Sequence, residues 1–157
     1  MAPGGIMFRA GGMGTIAMAG YDLPSIGFAY LPIDHMMVAV ALSFQYNGNA
    51  EGVVVRGPVG PMLVPGNWES GILVAVEYML HDIMPFAMGP AFAFRGSFAP
   101  GGFFSTVTLI PAWDLWYTPF NAPVAIGTAL AMTITLQSGR NPVIGLLTPG
   151  LRLAYTF

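Results

Sequence analysis

Between Val124 and Leu136 the chain has no charged residue and sorts its side chains by size. Val124, Ile126, Leu130, Met132, Ile134 and Leu136 alternate with Ala125, Gly127, Ala129, Ala131, Thr133 and Thr135. Only Thr128 interrupts the large row. The surrounding uncharged stretch, residues 115–139, is long enough to cross a membrane as a helix. Pro119, Asn121 and Pro123 interrupt it, and a helix has no reason to sort residues with a period of two. The segment reads as a strand with two apolar faces, one bulky and one small. That excludes an ordinary surface strand, whose second face is polar.

The same alternation recurs along the chain. Met36, Val38, Val40, Leu42, Phe44 and Tyr46 oppose Met37, Ala39, Ala41, Ser43, Gln45 and Asn47. Ile72, Val74, Val76 and Tyr78 oppose Leu73, Ala75, Glu77 and Met79. Strands are expected over 6–17, 21–31, 35–47, 70–80, 83–96, 103–117, 123–136 and within 143–157. On the first, Ile6, Phe8 and Ile16 fall on the face expected to be outward, with Met7, Arg9 and Thr15 opposite. Met84 and Phe86 lead the outward row of the fifth. Pro90 and Pro111 lie within expected strands and mark bulges or weak pairing, because proline has no ladder donor. Residues 48–69 read as irregular, with local pairing at Val53 to Val55. Tight turns are expected at 32–34, 81–82 and 118–121, a short turn at 18–20, and looser connections near Gly57, Pro100 and Arg140.

Composition decides what the bulky face meets. The chain of 157 residues is 55% hydrophobic, 8% charged and without lysine, against about 25% charged residues in a soluble domain. So few charges leave a soluble monomer poorly dispersed. The alternative is a soluble β-sandwich with the large residues in its core. It requires a polar opposite face, and here that face is mainly Ala, Gly and Thr. The net charge of −2 provides no basic patch for nucleic acid. Without cysteine there is no disulfide, thiolate metal site or thiol nucleophile, and no statement about redox compartment follows. The length suits one domain over 1–157. No signal peptide is visible, so the sequence is expected to be a mature form restarted at Met1.

The last strand carries a more specific likeness. Leu151, Leu153, Tyr155 and Phe157 face one way and Arg152, Ala154 and Thr156 the other. This ending resembles the final strand of bacterial outer-membrane β-barrels, which usually closes on Phe after alternate apolar residues. A tyrosine four residues before an Asp or Asn also repeats, as Tyr30 with Asp34, Tyr78 with Asp82, and Tyr117 with Asn121. That is a repeated hairpin, similar to the OmpX and opacity-type barrels. The resemblance implies an all-β, transmembrane, antiparallel up-and-down barrel of about eight strands. It places the chain in the outer membrane of a Gram-negative bacterium, with the lipid bilayer and, through the C-terminal strand, the barrel-assembly machinery as partners. Short turns and both termini would lie on the periplasmic side. Tyr30, Tyr78, Tyr117, Tyr155 and Phe157 would form one aromatic girdle, and Phe44, Tyr46, Phe92 and Phe94 the other.

Charged residues on the strands are few. Arg9, Glu77, Asp114 and Arg152 fall on faces expected to line the lumen, as does Arg95 nearer the other end, with Gln45 and Asn47 as candidate partners. Arg9 and Arg152 would sit on adjacent strands, balanced by Glu77 and Asp114 from across the lumen. Such a luminal charge network has a structural reading, ion pairs tying strands together, and a functional one, a charged constriction in a narrow pore. His35 and His81 lie beside turns with too few neighbouring ligands for a metal. Ser70, Ser97, Ser105 and Ser138 have no partner base in view. No phosphate loop or zinc spacing occurs. The methionines read as adaptable apolar filler. No catalytic residue, metal or cofactor is therefore expected. The function classes left open are a narrow channel for small or apolar solutes (a passage role like that of OmpW-type proteins), a structural or adhesive barrel resembling OmpX or an OmpA-like membrane domain, and a subunit of a homo-oligomer or larger membrane assembly.

Overall fold

The computed structural model describes residues 6–11, 13–20, 23–47, 53–57, 60–64, 67–99, 102–119, 122–137 and 139–156. Its strands are β1 (Met13–Gly20), β2 (Leu23–Ile33), β3 (Met36–Asn47), β4 (Val53–Gly57), β5 (Gly60–Val64), β6 (Asn67–Tyr78), β7 (His81–Ile83), β8 (Phe86–Ala99), β9 (Gly102–Tyr117), β10 (Val124–Gln137) and β11 (Val143–Thr156). The chain is all-β and antiparallel, and no helix among the described residues is long and apolar enough to cross a membrane. The long strands form one curled sheet in the order β6-β3-β2-β1-β11-β10-β9-β8-β7, and β6 also pairs with β8. β4 and β5 pair separately, Val53 opposite Val64 and Val55 opposite Met62, which is the form taken by the local pairing expected at Val53 to Val55.

The two faces of the sheet divide by size, as the alternation requires. Val40, Val76, Leu130 and Leu153 are 53, 40, 54 and 46% exposed, while Ala41, Ala75, Ala129 and Ala154 are at most 5% exposed. The small face is the concave one, and larger side chains fill it: Leu31, Met37, Leu73, Met79, Ile110 and Trp116 are all buried there. The facing expected for Thr15, Ile16, Phe44, Tyr46 and Phe157 concerns side chains outside those described.

Several expectations need correction, among them the turn expected at 32–34, where β2 runs on to Ile33. The first strand begins at Met13 instead of residue 6 and continues through the 18–20 stretch expected to turn. Residues 6–11 belong to no strand; Gly11 has φ of 84°, and the amides before it bond to carboxylates rather than to a ladder. Phe8 is buried, not outward, and Arg9 is exposed, not on an inner strand face. The second hairpin turns at Met84 and Pro85 rather than at 81–82, so Asp82 sits on β7 and is buried, and Met84 is buried too. Residues 67–69 continue β6 and are not irregular.

Pro90, Pro111 and Pro149 sit where the ladder is interrupted on one side. β6 pairs with β8 down to Ala91 and β7 resumes at Met88, leaving Pro90 between them. The β9–β10 ladder passes from Ala112 to Leu109, skipping Pro111. The β1–β11 ladder stops at Leu151, short of Pro149. A residue without an N–H loses nothing at such a gap. Beside Pro90, a Cβ on Gly89 would lie 1.9 Å from the Tyr78 carbonyl oxygen, so only glycine admits the close passage of the chain from β6 to β7.

Candidate functional site

Glu77 on β6, Asp114 on β9 and Arg152 on β11 come from strands that are not neighbours, yet their side chains meet on the concave side. Arg152 Nη2 donates to Glu77 Oε1 and Nη1 donates to Asp114 Oδ2. The three side chains are 1% exposed or less, so each charge depends on protein partners rather than on water. The alternation explains the meeting. All three lie on the small-residue face, and only the enclosed side of the sheet brings non-adjacent strands within reach of one another.

Trp116, two residues beyond Asp114 on the same face, completes the cluster. Its Nε1–H donates to Glu77 Oε2 at 3.0 Å, and the Arg152 guanidinium carbon lies 4.6 Å from the ring centroid. Glu77 thus accepts from two donors, and Arg152 is held by two carboxylates and an aromatic face. Trp116 and Arg152 both stand opposite Gly127 in the ladders flanking β10. A Cβ at Gly127 would come within 2.7 Å of the indole. The small row of β10 is therefore the floor on which the tryptophan lies.

Residues 6–11 cover the cluster from the turn end. The Phe8 ring meets Trp116 edge-on, 5.9 Å between centroids at 67°. Asp82 accepts the amides of Met7 (2.8 Å to Oδ1) and Phe8 (3.1 Å to Oδ2), and its Oδ2 lies 3.1 Å from His35 Nδ1. Asp34 accepts the Ala10 amide at 2.7 Å. The His35 amide donates to the Phe8 carbonyl and the Gly11 amide to that of Leu31, each at 2.9 Å. His35 itself has φ of 67° in the β2–β3 turn, which sets its backbone and its ring toward the same segment.

The structure brings together three of the five residues expected to form the luminal network and separates two. Arg9 is exposed, outside the cluster, because its segment crosses the turn end instead of joining the sheet. Arg95 is buried on β8, nearer the opposite end, where its Nε donates to Ser43 Oγ at 3.1 Å. Gly71 lies between those two strands, and a Cβ there would sit 2.9 Å from Ser43 Oγ. The side chains of Gln45 and Asn47, its expected partners, lie outside those described. Trp116, Phe8 and Asp82 were not expected in the site. Trp116 carried a usable signal, since it shares the facing of Asp114. Asp82 resembled a turn residue, and nothing in the local pattern marked Phe8. His81 is exposed, and no group of three metal-ligating side chains occurs among the described residues. Comparison with protein-family models, with curated proteins and with solved structures returned no match.

Proposed function

We propose that the chain is a membrane-spanning β-barrel of eight long strands, resembling the OmpX, OmpA and OmpW-like proteins of the bacterial outer membrane. We further propose that its packed interior suits a structural role, as an anchor or as a subunit of a larger membrane assembly. One observation carries the reading: polarity is reversed. Every charged strand residue whose side chain is described (Glu77, Asp82, Arg95, Asp114 and Arg152) is buried, while Phe28, Leu42, Phe92, Leu130 and Leu151 are each more than half exposed. A monomer in water seldom exposes so continuous an apolar face.

The pairing supports closure. From Tyr155, paired residues run through Thr15, Phe28, Val40, Val74, Phe94, Leu109 and Ile134 to Ile144, back on β11. Allowing for the bulge on the way, the path returns about ten residues along, a stagger that tilts eight strands by roughly 40°. At that tilt the outward row from Ile126 to Leu136 is about 25 Å tall, the height of the lipid-facing band of such barrels. Tyr30, Tyr78, Phe86, Tyr117 and Tyr155 cluster at the turn end, where an aromatic girdle belongs. Thr128, the exception in the outward row, donates its hydroxyl to the Gly150 carbonyl at 2.8 Å, so it presents no free polar hydrogen to hydrocarbon.

Two measurements test this. Purified protein in planar bilayers should insert without conductance steps; a steady unitary current would overturn the sealed interior. Passage remains the second reading, favoured by the small inward residues Ser25, Ser43, Gly71, Ser97 and Thr133 at the loop end. In vesicles, Leu130→Arg should cost about 2–4 kcal/mol of unfolding free energy, because it carries a charge into the middle of the outward band. A soluble protein would tolerate or gain from that change, so an unaltered urea midpoint argues against the membrane.

A further inference from the structure

We propose that residues 6–11 are a releasable stopper. They seal the turn end of the interior, and detaching them opens the Glu77–Asp114–Arg152 cluster to water from that side only. The inference rests on the barrel reading for its geometry and goes beyond it in assigning a moving part. The segment belongs to no strand, so it can leave without breaking the ladder. Five hydrogen bonds and one ring contact attach it: Asp82 takes two consecutive amides, Asp34 takes a third, two backbone bonds join it to Leu31 and His35, and Phe8 supplies the apolar contact on Trp116. Local opening has a low free energy where few groups hold a segment and the global fold does not depend on it. Phe8 is 6% exposed and Trp116 is fully buried, so water does not reach the indole while the segment is in place.

The chain has no cysteine, so single-cysteine labels report without background. Ala125 and Ala154 face each other across β10 and β11, two ladder positions from the Gly127–Arg152 pair toward the turn end. Ala93 lies on the loop side of the cluster, opposite Ala75 and Ile110. In proteoliposomes, a charged, water-soluble thiol reagent should label Ala154→Cys slowly. Adding Asp82→Ala should raise that rate by about tenfold or more, the effect of losing a charge-assisted contact, and Phe8→Gly, which removes the buried ring, should raise it by a similar factor. Ala93→Cys should not change. Equal labelling of Ala154→Cys with and without both second changes overturns the stopper. So does a parallel rise at Ala93→Cys, which would mean general loosening. Val40→Cys, on the outward face, tests the underlying reading separately. Labelling there as fast as in unfolded protein would sink the membrane barrel, whatever the result at Ala154.

Discussion

Arg152→Met should lower the unfolding free energy by about 3–5 kcal/mol, the cost of leaving buried carboxylates without their cation. Two carboxylates lose their cation at once, Glu77 on β6 and Asp114 on β9. Neither can turn to water, because both are fully buried. On the proposed barrel reading, urea unfolding in vesicles, with heat-modifiable gel migration as the readout of folded protein, measures the loss. Removing all three charges at once, as Glu77→Gln, Asp114→Asn and Arg152→Met, should recover most of it. Replacing a whole buried ion group is often close to neutral, whereas breaking one is not. A coupling of at least about 1 kcal/mol between Arg152 and either acid would mark close-packed partners. A loss below that level in the single variant would show a solvated cluster, and a triple variant no better than the single would show that unpaired charge is not the cause of the loss.

That prediction rests on features that were partly legible in the sequence. Alternation alone placed Glu77, Asp114 and Arg152 on one face, since a period of two leaves no freedom about which side a residue takes. It also places Val40 outward and Ala41 inward, while the antiparallel order follows from the short turns between strands. Alternation gives Arg95 its face but not its Ser43 contact, because that contact skips a strand and depends on Gly71 having no side chain. What the pattern could not give was anything outside the ladder. Residues 6–8 look like the beginning of an alternating strand, with Ile6 and Phe8 on one side of Met7. They fold inward because Asp82 and Asp34 offer carboxylates to amides that would otherwise seek a neighbouring strand. Arg9 followed its segment away from the cluster. The turn at Met84 and Pro85 is hidden in the sequence for a related reason. Asp82 has the composition of a turn residue, and only its tertiary partners show that it belongs to β7 and points inward.

Trp116→Ala should cost a similar 3–5 kcal/mol, combining lost contacts with the cavity left behind. The indole also supplies the second donor to Glu77, so truncation strands an oxygen of a buried carboxylate as well as emptying space. Trp116→Phe separates the two effects. It keeps most of the volume and should lose about 1.5–3 kcal/mol, the worth of a hydrogen bond to a charged group. The floor beneath the ring gives the sharper test. In the native chain Gly127→Ala should cost about 1–3 kcal/mol, because its Cβ would press on the indole and a packed interior has little room to yield. With Trp116 already truncated, the same methyl enters vacated space and should cost almost nothing. The difference between the two backgrounds measures the contact itself, free of the propensity change at residue 127. An equal cost in both would place the indole elsewhere, and with it the seal over Glu77 and Arg152.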